Sequence, residues 1–219
     1  HMGVTAENIA SKFNITREEQ DEFALHSQKK TQNAINDNKF FEELIKINQN
    51  GCKLDADEHP RANLQLTDLQ KLKTVFKEKG TVTPGNSSGI NDGASALLLS
   101  TSEEAKKKSI EPLAKIVSWA SVGVDPSLMG LGPIGAISEA IKKAKWKLND
   151  IDLFEINEAF AAQSIAVIRE LNIDKKKVNV NGGAISLGHP IGASGARILV
   201  TLVHEMKKQK KSKGCAALC

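Results

Sequence analysis

Tyrosine is absent from the 219 residues, and cysteine occurs three times, at Cys52, Cys215 and Cys219. Three cysteines do not make a disulfide framework. The terminal C-x3-C spacing has no His or Cys pair beside it and is a poor zinc signal. No metal is expected, and a reducing compartment, the cytoplasm, is. No apolar run approaches the ~18 residues that a membrane span needs, and nothing resembles a secretory leader. The glycine-rich stretches lack both the G-x-G-x-x-G spacing of a dinucleotide fold and the G-K-[ST] of a phosphate loop. There is no tandem repeat at the ~20–50-residue period of solenoids, and no low-complexity tract. The net charge is only +4. The run KKQKKSK (207–213) has no aromatics interleaved for base stacking. It reads as a solvated helix end, where cations suit the helix dipole. Neither nucleic acid nor membrane is therefore an expected partner.

What is present is an ordinary globular composition, 40% hydrophobic and 26% charged. Up to about residue 80 the chain reads as helices with one strand-like segment. Thr16 and Glu19 form a capping box that opens a strong helix. EELIKIN (42–48) alternates like a strand, TDLQKLKTVF (67–76) is a short helix, and residues 49–65 between them are turn-rich loop. From about residue 92 strands and helices alternate. The strands are ASALLLS (94–100), LAKIVSWASVGV (113–124), IDLFEI (151–156), KVNVN (177–181) and GCAALC (214–219). The helices lie at 102–109, 133–145, 158–171 and 191–208. This alternation predicts an α/β layered domain with helices covering a sheet. The last strand runs to the final residue, which points to a fragment of a longer polypeptide.

The chemistry concentrates in NGGAISLGHPIGASGAR (181–197), where Gly, Ala and Ser surround one imidazole. Small residues let backbone, or a ligand, approach backbone closely. Pro190 suits a first helical turn, which places His189 at a helix N-terminus, where the dipole disfavours imidazolium. A neutral imidazole is suited to proton transfer. Asn157, in EINEAF, stands at a strand end, where it either caps the next helix or faces a ligand. His189 and Cys219 stand at strand ends too, so the three converge on one rim. Cys with His suggests thiolate chemistry or proton transfer at a carbon acid. Cys215, and Cys219 with it, reads equally as a small buried hydrophobe.

NEAFAAQ, NGGAISLGHPIGASGAR, GTVTPGNSSGINDGASALLL, MGLGPIGA, CAALC and the opening HMGVTAENIASKFNITREEQDEFALHSQ together resemble the thiolase family, in order and over nearly the whole chain. The resemblance lies nearest its biosynthetic, cytosolic-type branch. It implies a thiolase-like layered fold (αβαβα), here as loop domain plus most of the C-terminal half. Residues 1–91 would be the loop-domain remainder with a coenzyme A (CoA)-binding segment, and 92–219 the C-terminal domain, truncated at its end. The implied reaction condenses two acetyl-CoA into acetoacetyl-CoA and CoA, reversibly. CoA thioesters serve as substrates and there is no cofactor. The family pattern implies that His189 activates an acyl-carrying Cys, that Cys219 moves the α-proton, and that Asn157 holds a water completing an oxyanion hole with His189. For CoA it implies Arg61 near the nucleotide, Ser88 at the pantetheine, and Leu72, Phe76, Met129, Ala159, Phe160, His1 and Met2 as walls. His1-Met2 is also a common cloning remnant, so targeting is not read from this end. The family's nucleophilic Cys matches none of the three cysteines, and the chain as it stands is expected not to complete the reaction alone. Family analogy implies a dimer or tetramer. The alternatives are a degradative 3-ketoacyl-CoA thiolase and a non-catalytic CoA-binding chain. A ketoacyl synthase fits less well, given Cys219 and NEAF.

Overall fold

Two helices open the chain. The computed structural model describes residues 1–219 apart from the side chain of Cys52. Helix α1 (Met2–Lys12) buries Gly3, Ala6, Glu7, Ile9 and Ala10. Helix α2 (Arg17–Asn36) begins at the capping box read from the sequence. The Glu19 N–H donates to the Thr16 hydroxyl at 3.2 Å, and the Thr16 N–H donates to the Glu19 carboxylate at 3.0 Å. Two N–H groups that would otherwise have no helical partner are satisfied.

The next segment departs from expectation. Of the predicted strand at 42–48 only Ile47 and Asn48 are strand; they belong to β1 (Ile47–Gln49), whose three residues are all exposed. It pairs antiparallel with β2 (Cys52–Leu54), inside the stretch expected to be loop. Asn50 and Gly51 turn the hairpin with φ of 50° and 79°. Both signs are those of a two-residue hairpin turn, which Asn-Gly favours. Helix α3 covers Leu66–Gln70 only and stops well before Phe76.

The second zone holds the layered part. Helix α4 (Ser102–Lys107) is capped by Thr101. A 3-10 turn at Pro126–Leu131 leads into α5 (Gly132–Ala144). Strand β3 (Leu153–Ile156) is followed by α6 (Ala161–Glu170), the short α7 (Ala184–Leu187), α8 (Ser194–Lys208) and β4 (Gly214–Ala217). β3 and β4 pair in parallel, Leu153 with Gly214 through Ile156 with Ala217. Phe154 and Ile156 pack with Ile137 and Ile141 of α5 and Val167 and Ile168 of α6. The opposite face turns Glu155 toward Arg197 of α8. Helices thus cover both faces of a parallel pair, as an α/β layer requires, because a strand buried on both sides needs apolar cover on both.

Three expected strands are not formed as such. Residues 94–100 and 113–124 carry no ladder, and Leu98, Leu99 and Trp119 are exposed at 93%, 69% and 78%. The apolar pattern that suggested strands is real, but a strand exists only where a neighbour takes its hydrogen bonds. KVNVN contributes a single bridge, Val178 to Phe154. Among the described residues no helix is long and apolar enough to cross a membrane.

Candidate active site

The segment 81–91 is the frame of the site, and buried polar groups hold it. The Glu7 carboxylate accepts from the Thr81 and Val82 N–H groups, each at 2.8 Å. The Asn86 amide donates to Asp21 at 3.0 Å, and the Ala161 N–H donates to the Asn86 carbonyl at 2.9 Å. From there the chain runs between two other segments. Ser87 bridges to Phe160 on one side and Ile90 to His189 on the other. The Ser88 N–H donates to the Ala159 carbonyl at 3.0 Å, and the His189 N–H to the Gly89 carbonyl at 3.1 Å. NEAF and the His189 loop, distant in sequence, are thereby fixed to one strip of backbone.

His189 does not stand at a helix N-terminus. Residues 191–193 form a turn, and α8 begins at Ser194, so Pro190 shapes the turn instead of the first helical residue. The expected neutrality survives for another reason. Burial holds the His189 pKa below the ordinary imidazole value, and the Arg197 charge adds to the effect. Desolvation disfavours the charged form of any base. One ring nitrogen, Nδ1, lies 2.5 Å from the Ser194 hydroxyl; the other, Nε2, lies 3.5 Å from the Asn157 amide nitrogen. Asn157 is 1% exposed, and its Oδ1 has no hydrogen-bond partner in the protein.

The glycines around His189 have work in the protein itself. Gly188 has φ of 92°, and a Cβ there would lie 2.5 Å from the Asn91 side-chain oxygen. Asn91 uses that closeness to accept from the His189 N–H at 3.3 Å. A Cβ on Gly183 would lie 2.3 Å from the carboxyl carbon of Glu158. That carboxylate is buried and accepts from Ser27 at 2.6 Å and Asn179 at 2.9 Å. The small residues let buried polar side chains lock the loop to α2 and NEAF.

Cys219 lies just past β4, whose last residue accepts from the Asn157 N–H at 2.9 Å. Its thiol is half-buried, and burial pushes its pKa up, a backbone hydrogen bond opposing. Cys215 packs on the α5–α6 cluster, and burial alone raises its thiol to about 11. It is the packing residue the sequence suggested.

Of the expected wall residues, His1, Phe76 and Phe160 form a connected track. His1 stacks on Phe76 with centroids 4.8 Å apart, and Phe76 meets Phe160 edge-on at 6.2 Å. Leu72 closes on Gly85, where a Cβ would lie 2.5 Å from its methyl. Met129 is half-buried in the 3-10 turn, beside Gly130, which packs on Ile9 and Gln163. Met2 and Arg61 are exposed; the Arg61 N–H donates to Gln28 at 2.9 Å. Sequence reasoning missed Asn91, Ser194 and His59. His59 docks its loop by a 3.0 Å contact with the Ser186 carbonyl and lies against Gly89. Such partners are set by tertiary distance, and only the Ser at 194 within the small-residue motif carried any signal.

A family model described as "Thiolase, C-terminal domain" matches residues 110–219, and one described as "Thiolase, N-terminal domain" matches 1–103. The chain belongs to the thiolase family. A Rhizobium meliloti protein named acetyl-CoA acetyltransferase is 54% identical over 223 residues, covering 100% of this chain and 57% of the relative. A Staphylococcus aureus protein named probable acetyl-CoA acyltransferase is 50% identical, again with 57% of its length covered. The crystal structure of a Bacillus anthracis acetyl-CoA acetyltransferase superposes with a TM-score of 0.96 at 48% identity, over 100% of this chain and 57% of that one. Human mitochondrial 3-ketoacyl-CoA thiolase in complex with CoA gives 0.94 at 46%, over 100% and 55%. This thiolase chain therefore has the thiolase fold and spans little more than half the length of the relatives it matches.

Proposed function

We propose that this chain is the His- and Cys-bearing, CoA-binding portion of an acetyl-CoA acetyltransferase. The observation that carries the reading is the pair of Asn157 and His189, 3.5 Å apart, with the Asn157 N–H hydrogen-bonded to Ala217 of the strand that leads to Cys219. In the proposed reaction an acyl-carrying Cys outside these 219 residues gives its proton to His189 Nε2 and attacks the keto carbon of acetoacetyl-CoA. The C–C bond breaks, and the acetyl-CoA enolate leaves. Cys219, a thiol at rest because burial raises its pKa, donates the proton that the enolate carbon takes up. CoA then takes the acetyl group: its thiol proton passes to the Cys219 thiolate, its sulfur attacks the acyl carbon, and the Cys thiolate leaves and recovers its proton from His189. Condensation runs the same steps backwards. The protonated Nε2 and a water held on the unpartnered Asn157 Oδ1 supply donors for the thioester oxygen, as an enolate requires.

The His1–Phe76–Phe160 track and Ser88 line the pantetheine arm in this reading, and Leu72, Met129, Ala159 and Met2 complete the wall. Arg61, at the surface, meets the phosphates. CoA thioesters enter as substrates, so no metal or resident cofactor is needed. A cytoplasmic dimer or tetramer completes the proposal. Thiolysis of acetoacetyl-CoA by the intact polypeptide, followed as loss of enolate absorbance, tests it. Turnover that His189→Ala removes supports the reading, and turnover on long-chain ketoacyl-CoA with none on acetoacetyl-CoA overturns the subtype.

A further inference from the structure

The Ser194 hydroxyl has one proton and two neighbours. It lies 3.1 Å from the Pro190 carbonyl oxygen and 2.5 Å from His189 Nδ1. A carbonyl oxygen only accepts, so the contact to Pro190 is a hydrogen bond only if Ser194 donates it. The Ser oxygen is then left with lone pairs toward Nδ1, and a contact of 2.5 Å between two lone pairs is repulsive. With Ser194 donating to Pro190, whose carbonyl also accepts from the Ala193 and Ser194 N–H groups at 2.8 and 2.9 Å, Nδ1 carries the proton. On the other edge of the ring the Asn157 amide nitrogen, a donor, faces Nε2 at 3.5 Å. Its N–H has an acceptor only if Nε2 is bare. The two edges of the ring call for the same tautomer.

We infer that Ser194 is a positioning residue that fixes His189 as the Nδ1–H tautomer, so that Nε2 is the free base facing Asn157. Ser194 is completely buried at the first turn of α8, with no water competing for the bond. Its hydroxyl is anchored at both ends, by the backbone of the turn and by the imidazole, so the ring plane is set together with the proton. In a metal-free imidazole the hydrogen bond made by one nitrogen decides which nitrogen holds the proton. Free histidine favours the proton on Nε2, the opposite of what a base at that nitrogen needs. The consequence for turnover rests on the acyl-transfer reading; the tautomer does not.

The test is a long-range 1H–15N correlation spectrum of the imidazoles in this chain, with the His189 signals assigned by a His189→Asn variant. The wild type should show a protonated Nδ1 and a bare Nε2 near neutral pH. Ser194→Ala should shift the tautomer ratio toward Nε2–H by about fivefold, as expected for one net hydrogen bond. Ser194→Thr, which keeps the hydroxyl, should restore the ratio. In the intact polypeptide kcat should fall with Ser194→Ala while KM for acetoacetyl-CoA holds. A wild-type spectrum with the proton on Nε2 overturns the inference without any variant, and so does an unchanged ratio in a folded Ser194→Ala protein. Because the spectrum is taken without substrate, a failed activity assay leaves the tautomer result standing.

Discussion

At the residue scale, the most consequential feature outside the site is a carboxylate held away from water. Glu155 lies on the β3 face toward α8, is 2% exposed, and has Arg197 4.0 Å away. Burial outweighs that cation and raises the Glu155 carboxyl to about 8. Glu43 is raised to about 7 by the same cause. Both folded-state values lie above the unfolded value, so the folded chain binds more protons between about pH 4.5 and 8. The stability these groups contribute is full below about pH 4.5 and is lost as pH rises through 7 to 8. The urea midpoint should therefore fall between pH 6 and 9, and Glu155→Gln should flatten much of that fall. A midpoint that rises with pH over this range would show Glu155 to be ionised in the fold. Some of this scale was legible in the sequence. His189 announced itself because few side chains surround it, and Asn157 because it stands at a strand end. Ser194, Asn91 and Glu155 did not, because a Ser, an Asn or a Glu becomes a partner only through distances that folding sets.

At the scale of elements, local rules served where the element carries its own hydrogen bonds. The Thr16–Glu19 box placed the start of α2 to the residue, and the helix expected at 102–109 starts at Ser102, though it ends at Lys107. Thr16→Ala should cost roughly 1 kcal/mol of stability, measured by urea unfolding. A change within error would mean that tertiary contacts alone hold the start of α2. Strands were read less well for a physical reason. Alternation and apolar content describe a surface a strand can use, while the ladder needs a second segment at the right register. The chain supplies that partner for β3 in β4, but none for 94–100 or 113–124. The hairpin at 47–54 was overlooked although Asn50-Gly51 signals one, because the flanking residues are polar and all of β1 is exposed. Phe154 shows the opposite case, a strand residue whose burial the sequence made plain. Phe154→Ala should destabilise by ~3–5 kcal/mol in the same assay, as removing a fully packed ring does.

At the scale of the whole molecule, the chain carries a thiolase fold over 57% of the length of its relatives and leaves several large apolar side chains exposed. Leu98, Leu99, Ile116 and Trp119 are exposed at 93%, 69%, 53% and 78% in the two segments that carry no ladder. The chain should bind an apolar reporter dye, and Leu98→Ser with Trp119→Ser should cut that signal by half or more without changing the far-ultraviolet spectrum. The central claim, however, is the proposed chemistry, in which His189, held by Asn91, Gly89 and Ser194 and facing Asn157, serves as the base of a site that cleaves the C–C bond of a 3-ketoacyl thioester. Its most direct test is thiolysis of acetoacetyl-CoA by the intact polypeptide that contains these 219 residues, wild type beside His189→Ala. The expected result is turnover in the wild type and a loss of roughly 10²–10⁴-fold in the variant, the usual contribution of a positioned acid–base group. Equal turnover in the two proteins, with the variant folded, would contradict it.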